Sequence, residues 1–335
     1  MASPALSRSL RVAVVAIATA FLAAACGPDA STSATPTGPT GSGAAACAAA
    51  PNPPGDLEGW GPPAQAPQIV PVLIASPGQL VCGPNRVLFT LVDATGRPIG
   101  APDRIAKLAI FNLGRDPNEA VITVDAAFIW AIEGERGIYV ANVTFPDAGR
   151  YGAEVSTAAA GGAPDVIRLT FDVQPSSSIV KVGDRAPASK TPTLADVGGD
   201  ATKVSTDATP DPAFYDTSVD HAIANHEPFV LIFATPKFCT SAQCGPTLDR
   251  IKPYAARYPG VTFINVEPYR LKLVDGTLQP DLNADGQLQT AAVTEEWNLF
   301  NEPTVFVVDR DGIVRAAFEL MFSDAELTTA LEAVK

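Results

Sequence analysis

The hexapeptide CTSAQC, from Cys239 to Cys244, constrains this chain more than any other feature. It directly follows the apolar run PFVLIFATPKF and directly precedes a segment with helical apolar spacing. A strand that delivers two thiols to the start of a helix is an arrangement suited to trading electrons. The first helical turn offers unpaired N–H groups and the positive end of the helix dipole, which favour thiolate over thiol and so raise reactivity. Four residues separate the cysteines. On a regular helix, residues five apart rise about 7.5 Å and point to different faces, whereas a disulfide needs Cα atoms within roughly 7 Å. If the bond forms, the segment is therefore not helical throughout. Pro246 agrees, because proline is tolerated in the first helical turn and disruptive beyond it, so the regular helix is predicted to begin near Gly245. Its buried face is predicted at Leu248, Ile251, Tyr254, Ala255 and Tyr258.

The first residues set the compartment. Arg8 and Arg11 precede an apolar run over residues 12–25 that is too short to span a bilayer and ends in small residues, the pattern of a secretory signal peptide over 1–25. LAAAC resembles a bacterial lipobox, and that resemblance implies that Cys26 is a lipid anchor holding the mature chain on the extracytoplasmic face of the cell membrane. Ordinary cleavage near Ala25 is the alternative. Both place the protein where disulfides persist. A net charge of -13 argues against nucleic-acid partners and against electrostatic binding to anionic lipid. Hydrophobic residues make up 47% of the chain, enough for real cores.

Residues 26–67 are rich in Ala, Pro, Gly, Ser and Thr without hydrophobic periodicity, and are predicted to be a disordered tether. Over 68–175 the pattern changes to short runs such as RVLFTLV, KLAIFNL, AVITVDAAFIWAI and GIYVANVTF, separated by turn signals. Seven or so strands spaced this way predict an antiparallel sandwich, with Trp130 in its core. Residues 147–153, DAGRYGA, resemble the corner of immunoglobulin-type domains, with Tyr151 in the tyrosine position and Ala153 where that family has cysteine. The resemblance implies an immunoglobulin-like fold and no activity. Cys47 and Cys82 are left over once Cys26 is lipidated and the hexapeptide pair is closed. They pair with each other as a staple, stay free, or join another chain.

After a linker at 176–190 that includes VGDRAP, residues 191–335 carry in order the helix pattern SVDHAIANH, the strand FVLIF, the cysteine pair, the helix LDRIKPYAARY, the strand VTFINVE, an insertion, and WNLFNEPTVFVVDRDGIVRAAF with a closing helix. This order resembles the thioredoxin-like superfamily, particularly its extracytoplasmic redoxin branch. It implies an α/β three-layer fold following the all-β immunoglobulin-like sandwich, with protein thiols or disulfides as partners and no cofactor. The loop NEPTV resembles the one that ends in a cis-proline facing the cysteines, which carries that role onto Pro303, flanked by Glu302 and Thr304. Ser323 and Glu326 have the spacing of a capping box on the last helix.

The departures from the family shape the expected chemistry. Cys239 is the expected attacking thiol and Cys244 the resolving one, although CGP from Cys244 matches the family string literally. The reductants of the family keep a buried acid in the strand, where this chain has Leu231, Ile232 and Phe233. Thr235, Pro236 and Lys237 neighbour the pair, and Lys237 is the one nearby charge, read either as a thiolate partner or as a solvated lysine. The expected function is membrane-anchored thiol-disulfide exchange. The alternatives are a Cu(I) carrier of the Sco type and a non-enzymatic binding lipoprotein with a structural disulfide. The Sco-type distal histidine is missing, since His221 and His226 both lie upstream of the pair. DLNADG, with Asp281, Asn283 and Asp285, matches the start of a calcium loop but lacks its closing glutamate, Ala292 standing there, so no metal is assigned.

Overall fold

The computed structural model describes residues 47–335 except positions 54, 56, 77 and 300. The predicted leader over 1–25, Cys26, and the tether as far as residue 46 lie outside the described residues. Eight strands come first: β1 (Ile69–Ile74), β2 (Gly83–Asp93), β3 (Ile105–Asn112), β4 (Ala120–Asp125), β5 (Ala127–Ile132), β6 (Arg136–Phe145), β7 (Gly149–Ala158) and β8 (Asp165–Val173). Period-two alternation gives each an apolar face to bury. Two antiparallel sheets, in the orders β1-β2-β6-β5 and β4-β3-β7-β8, bury those faces against each other. Phe89 and Leu91 of β2, Ile110 of β3, Tyr139 of β6 and Tyr151 of β7 meet in the shared core. The fully buried Tyr151 hydroxyl donates to the Asp147 carbonyl oxygen at 3.0 Å and accepts from Asn112 Nδ2 at 3.1 Å, which ties down the turn before β7.

Three sequence expectations for this region are corrected. The run AVITVDAAFIWAI is two strands, because β4 pairs with β3 in one sheet and β5 with β6 in the other. The apolar pattern runs on through the crossover at Ala126 and hides it. Trp130 is half-buried on the edge strand β5, with its ring edge-on to Phe128 at 4.9 Å, and so is not a core residue. The tether is not structureless over 47–67. Cys47 is bonded to Cys82 with the Cα atoms 6.0 Å apart, Ala50 N donates to Ala148 O at 2.7 Å, and Trp60 is only 9% exposed. The Trp60 ring packs edge-on to Phe111 at 5.0 Å, its Nε1 donates to Pro117 O at 3.2 Å, and a Cβ on Gly152 would come within 2.2 Å of it. One aromatic ring can bury 150–250 Å² or so, which anchors a segment that average composition marks as disordered.

The second region begins inside the predicted linker. Gly183 N donates to Val314 O at 2.9 Å, Arg185 bridges Ile313, and Ala186 is buried, so residues 183–186 run along a sheet edge. The remaining elements are α1 (Val219–Ala224), β9 (Phe229–Phe233), α2 (Cys244–Arg257), β10 (Thr262–Val266), the hairpin β11 (Leu271–Val274) and β12 (Thr277–Pro280), α3 (Ala292–Glu296), β13 (Thr304–Val308), β14 (Val314–Glu319) and α4 (Asp324–Glu332). The main sheet has the order β10-β9-β13-β14, with β10 parallel to β9 and β13 antiparallel to both of its neighbours. Val230 and Ile232 face Leu248 and Ile251 of α2 and Leu327 of α4, while Phe229, Leu231 and Phe233 face Val219 of α1 and Trp297. Because β9 is covered on both faces, all five of its residues are apolar and buried. Burying each such side chain fully is worth about 1.5–3 kcal/mol.

The two regions touch. Leu88, Ile138 and Val140, on the face of their sheet opposite the sandwich core, pack with Met321, and Arg86 forms an ion pair with Glu326 at 2.7 Å.

Candidate dithiol site

Strand β9 ends at Phe233, and Ala234 N still donates to Val266 O at 3.1 Å, so the chain leaves the sheet at Thr235. A turn closed by Phe238 N to Thr235 O at 3.1 Å leads to Cys239. Ala242, at φ 61°, then reverses the path, and α2 starts at Cys244, one residue before the expected Gly245. Left-handed φ is uncommon for residues other than glycine and marks how tightly the turn is drawn. The result is a bent crossing of the helix end that brings the Cα atoms of Cys239 and Cys244 to 6.0 Å, with the two sulfurs bonded.

The two cysteines differ in their surroundings. Cys244 is fully buried in the cluster with Ile232, Ala234 and Leu248, whereas Cys239 is half-buried at the surface end of the turn. Cys244 N, one of the N–H groups that a helix start leaves without a helical partner, donates to Cys239 Sγ at 3.2 Å. Ser241 Oγ lies 3.4 Å from the same sulfur. A negative charge on Cys239 would thus meet an N–H donor, a hydroxyl and the positive end of α2.

The structure joins the loop at residues 301–304 to this turn. Glu302, 8% exposed, accepts from Thr240 N at 2.9 Å and Thr240 Oγ1 at 2.7 Å through Oε1, while its carbonyl oxygen accepts from Ser241 Oγ at 2.8 Å. The Glu302–Pro303 peptide is cis, and buried Thr304 starts β13 with its hydroxyl donating to Asn301 O at 2.8 Å. Burial, with the neighbouring Glu302 carboxylate, raises the pKa of Tyr269. Pro236 lies at the start of α2, where a Cβ on Gly245 would stand 4.0 Å from its own Cβ. Lys237 is exposed, and its ammonium lies 5.6 Å from the Phe238 ring centre.

Sequence reasoning missed Glu267. This acid stands just past the end of strand β10, the neighbour of β9, where Val266 pairs with Phe233. Glu267 Oε1 accepts from Thr206 N at 2.6 Å, and Thr206 Oγ1 is 3.4 Å from Thr235 Oγ1. Its Oε2 is buried with no hydrogen-bond partner among the described residues. Burial raises the Glu267 pKa to about 6 against the opposing pull of hydrogen bonds from Thr235 and Thr206. Two residues earlier, Asn265 donates to the Tyr215 hydroxyl at 2.9 Å, which donates to Ser205 Oγ at 2.7 Å. Burial pushes the Tyr215 phenol up to about 12. Asn265, Tyr215 and Ser205 thus form a buried polar cluster, and the Tyr215 ring shares its apolar layer with Cys244. The only advance signal was an acid directly following an apolar strand pattern.

His221 and His226 are exposed, the latter with Nδ1 3.1 Å from Arg310 O. Asn283 Oδ1 accepts from Asp285 N at 3.0 Å and Gln287 N at 2.9 Å, an Asx turn that closes the DLNADG loop on itself. Among the described residues no group of three or more His, Cys, Asp or Glu side chains is placed to hold a metal ion.

No family model matches the sequence, and neither does any curated protein. Among solved structures, the crystal structure of the Lin-41 filamin domain is similar to 32% of this chain and 93% of its own, at 14% identity and a TM-score of 0.21.

Proposed function

We propose that the protein is a membrane-anchored, extracytoplasmic thiol-disulfide oxidoreductase of thioredoxin-like type, working through Cys239 and Cys244. The observation that carries this reading is the asymmetry of the pair: a half-buried cysteine whose sulfur receives the first N–H of a helix, and a fully buried partner behind it. In the reductive direction, the Cys239 thiolate attacks a sulfur of a partner protein's disulfide, forming a mixed disulfide and releasing one partner thiolate. Cys244, deprotonated, then attacks Cys239 Sγ and releases the second. Two electrons pass to the partner, whose thiolates take up the two protons the pair gives up, and Cys239 and Cys244 end as the disulfide. The same steps reversed oxidise a dithiol partner. A mixed sheet with helices on both faces and a loop at Glu302 bonded to the cysteine turn support the thioredoxin-like assignment. Two packed four-stranded sheets and the Tyr151 bond to Asp147 support an immunoglobulin-like sandwich as spacer or docking module, with the lipid on Cys26 as anchor.

The test is trapping. Cys244→Ser should accumulate a mixed disulfide with a disulfide-bonded partner protein, and Cys239→Ser should accumulate none. If neither variant changes thiol exchange, the pair is a permanent staple and the reading fails.

A further inference from the structure

The turn between the cysteines is gripped by one residue distant in sequence. Glu302, 61 and 62 positions away from Ser241 and Thr240, accepts three hydrogen bonds from those two residues, two on its carboxylate and one on its carbonyl. The carboxylate is largely buried, it faces the Tyr269 phenol, and its hydrogen-bond donors in the turn are a backbone N–H and a hydroxyl, not a lysine or arginine. Ser241, one of the held residues, lies against Cys239 Sγ, and Thr240 directly follows Cys239. A negative group bonded to the residue that follows Cys239 does two separable things. It restricts the loop on which the two thiols must meet, which raises their effective concentration toward each other. Its charge also opposes the ionisation of a neighbouring thiol.

We propose that Glu302 is a positioning residue for the dithiol: its grip on Thr240 and Ser241 holds Cys239 over the first N–H of α2, and its charge offsets part of the thiolate stabilisation that the helix end provides. The proposal rests on the exchange reading above. It adds that the pair is poised by two opposed influences, the helix end favouring the thiolate and Glu302 restraining it, so the two effects of Glu302 can be separated by mutation.

The experiment compares the full chain with Glu302→Gln, Glu302→Ala and Thr240→Val. Two readouts are taken: the pH profile of iodoacetamide alkylation of Cys239, measured in the Cys244→Ser background, and the equilibrium constant of the pair against glutathione. Glutamine keeps an acceptor oxygen for Thr240 but removes the charge. It should move the alkylation midpoint down by about one pH unit, roughly a tenfold faster reaction below the midpoint. Alanine removes the carboxylate's hold on Thr240 together with the charge, leaving the backbone carbonyl bond to Ser241, and should in addition lower the preference for the disulfide over glutathione by about tenfold. Thr240→Val removes one donor and leaves the charge, so it should weaken the disulfide in the same sense without moving the alkylation midpoint downward. Should Glu302→Ala fail to fold, the glutamine variant still decides the charge effect. If all three variants only lower the melting temperature and leave both readouts at wild-type values, Glu302 is a structural residue and the proposal is overturned. If the wild-type pair neither equilibrates with glutathione nor is alkylated after reduction, the exchange reading itself has failed and takes the proposal with it.

Discussion

The sandwich and the mixed-sheet region each carry one disulfide with the same Cα separation, 6.0 Å, yet the two bonds sit in different chemistry. Cys47–Cys82 spans 35 residues, and both its sulfurs lie near the Pro146 carbonyl oxygen at 3.6 Å. Cys239–Cys244 spans 5 residues and is surrounded by an N–H, a hydroxyl and, on the turn it closes, a carboxylate. Loop-closure entropy gives the longer crosslink about 4 kcal/mol and the shorter about 2 kcal/mol. Among the described residues the bond that stabilises more has the Pro146 carbonyl oxygen beside its sulfurs, and the one that stabilises less has an N–H and a hydroxyl beside Cys239 Sγ. Cysteine count and compartment cannot make that distinction; the neighbours do.

The largest expected effect tests the comparison directly. Replacing Cys47 and Cys82 together by alanine should cost about 4 kcal/mol of sandwich stability in urea while leaving thiol exchange intact. Replacing Cys239 and Cys244 should cost about half as much and abolish exchange. A reversal of that order would remove the division between staple and redox pair. Next in size is Trp60→Ala, which should cost about 3 kcal/mol and expose residues 47–67 to protease. Its exchange activity should equal that of the wild type, because the contacts of Trp60 are confined to the sandwich. The smallest effect sharpens the other half. Burial holds Glu267 at about 6 against an ordinary 4.5, so the folded state binds the proton more tightly than the unfolded state does. That contribution is fully present below pH 4.5 and is lost as pH rises through 6. Glu267→Gln should therefore flatten the fall in stability across this window and gain about 2 kcal/mol above it, measured by urea unfolding at several pH values. An unchanged slope would show that folding does not raise the Glu267 pKa.

What could be read from the chain follows the range of the interactions. Local signals were legible. The Ser323 and Glu326 side chains form the capping box of α4 because both partners lie within one turn. The apolar run FVLIF marked the strand β9, and Pro246 placed the helix start within one residue of its position. The exceptions depend on register. Glu267 reaches the β9 end only because Val266 pairs with Phe233, and Glu302 reaches Thr240 only because β13 runs antiparallel beside β9. Trp60 escaped notice because its slot is made by Phe111 and the bare backbone of Gly152, far along the sequence. The split of one apolar run into β4 and β5 is likewise decided by which partners take each half, not by the run itself.

The ion pair of Arg86 with Glu326 joins residues 240 positions apart. At synthesis rates of roughly 5–20 residues per second, Glu326 emerges from the ribosome roughly 12–48 s after Arg86. The sandwich has all of its strands out early in that interval, and until the C-terminal segment arrives, Leu88, Ile138 and Val140 lack their cover from Met321. For that interval the outer face of a sandwich whose strands are already made keeps an open apolar strip, so closing it is work that falls to a segment far from it in sequence.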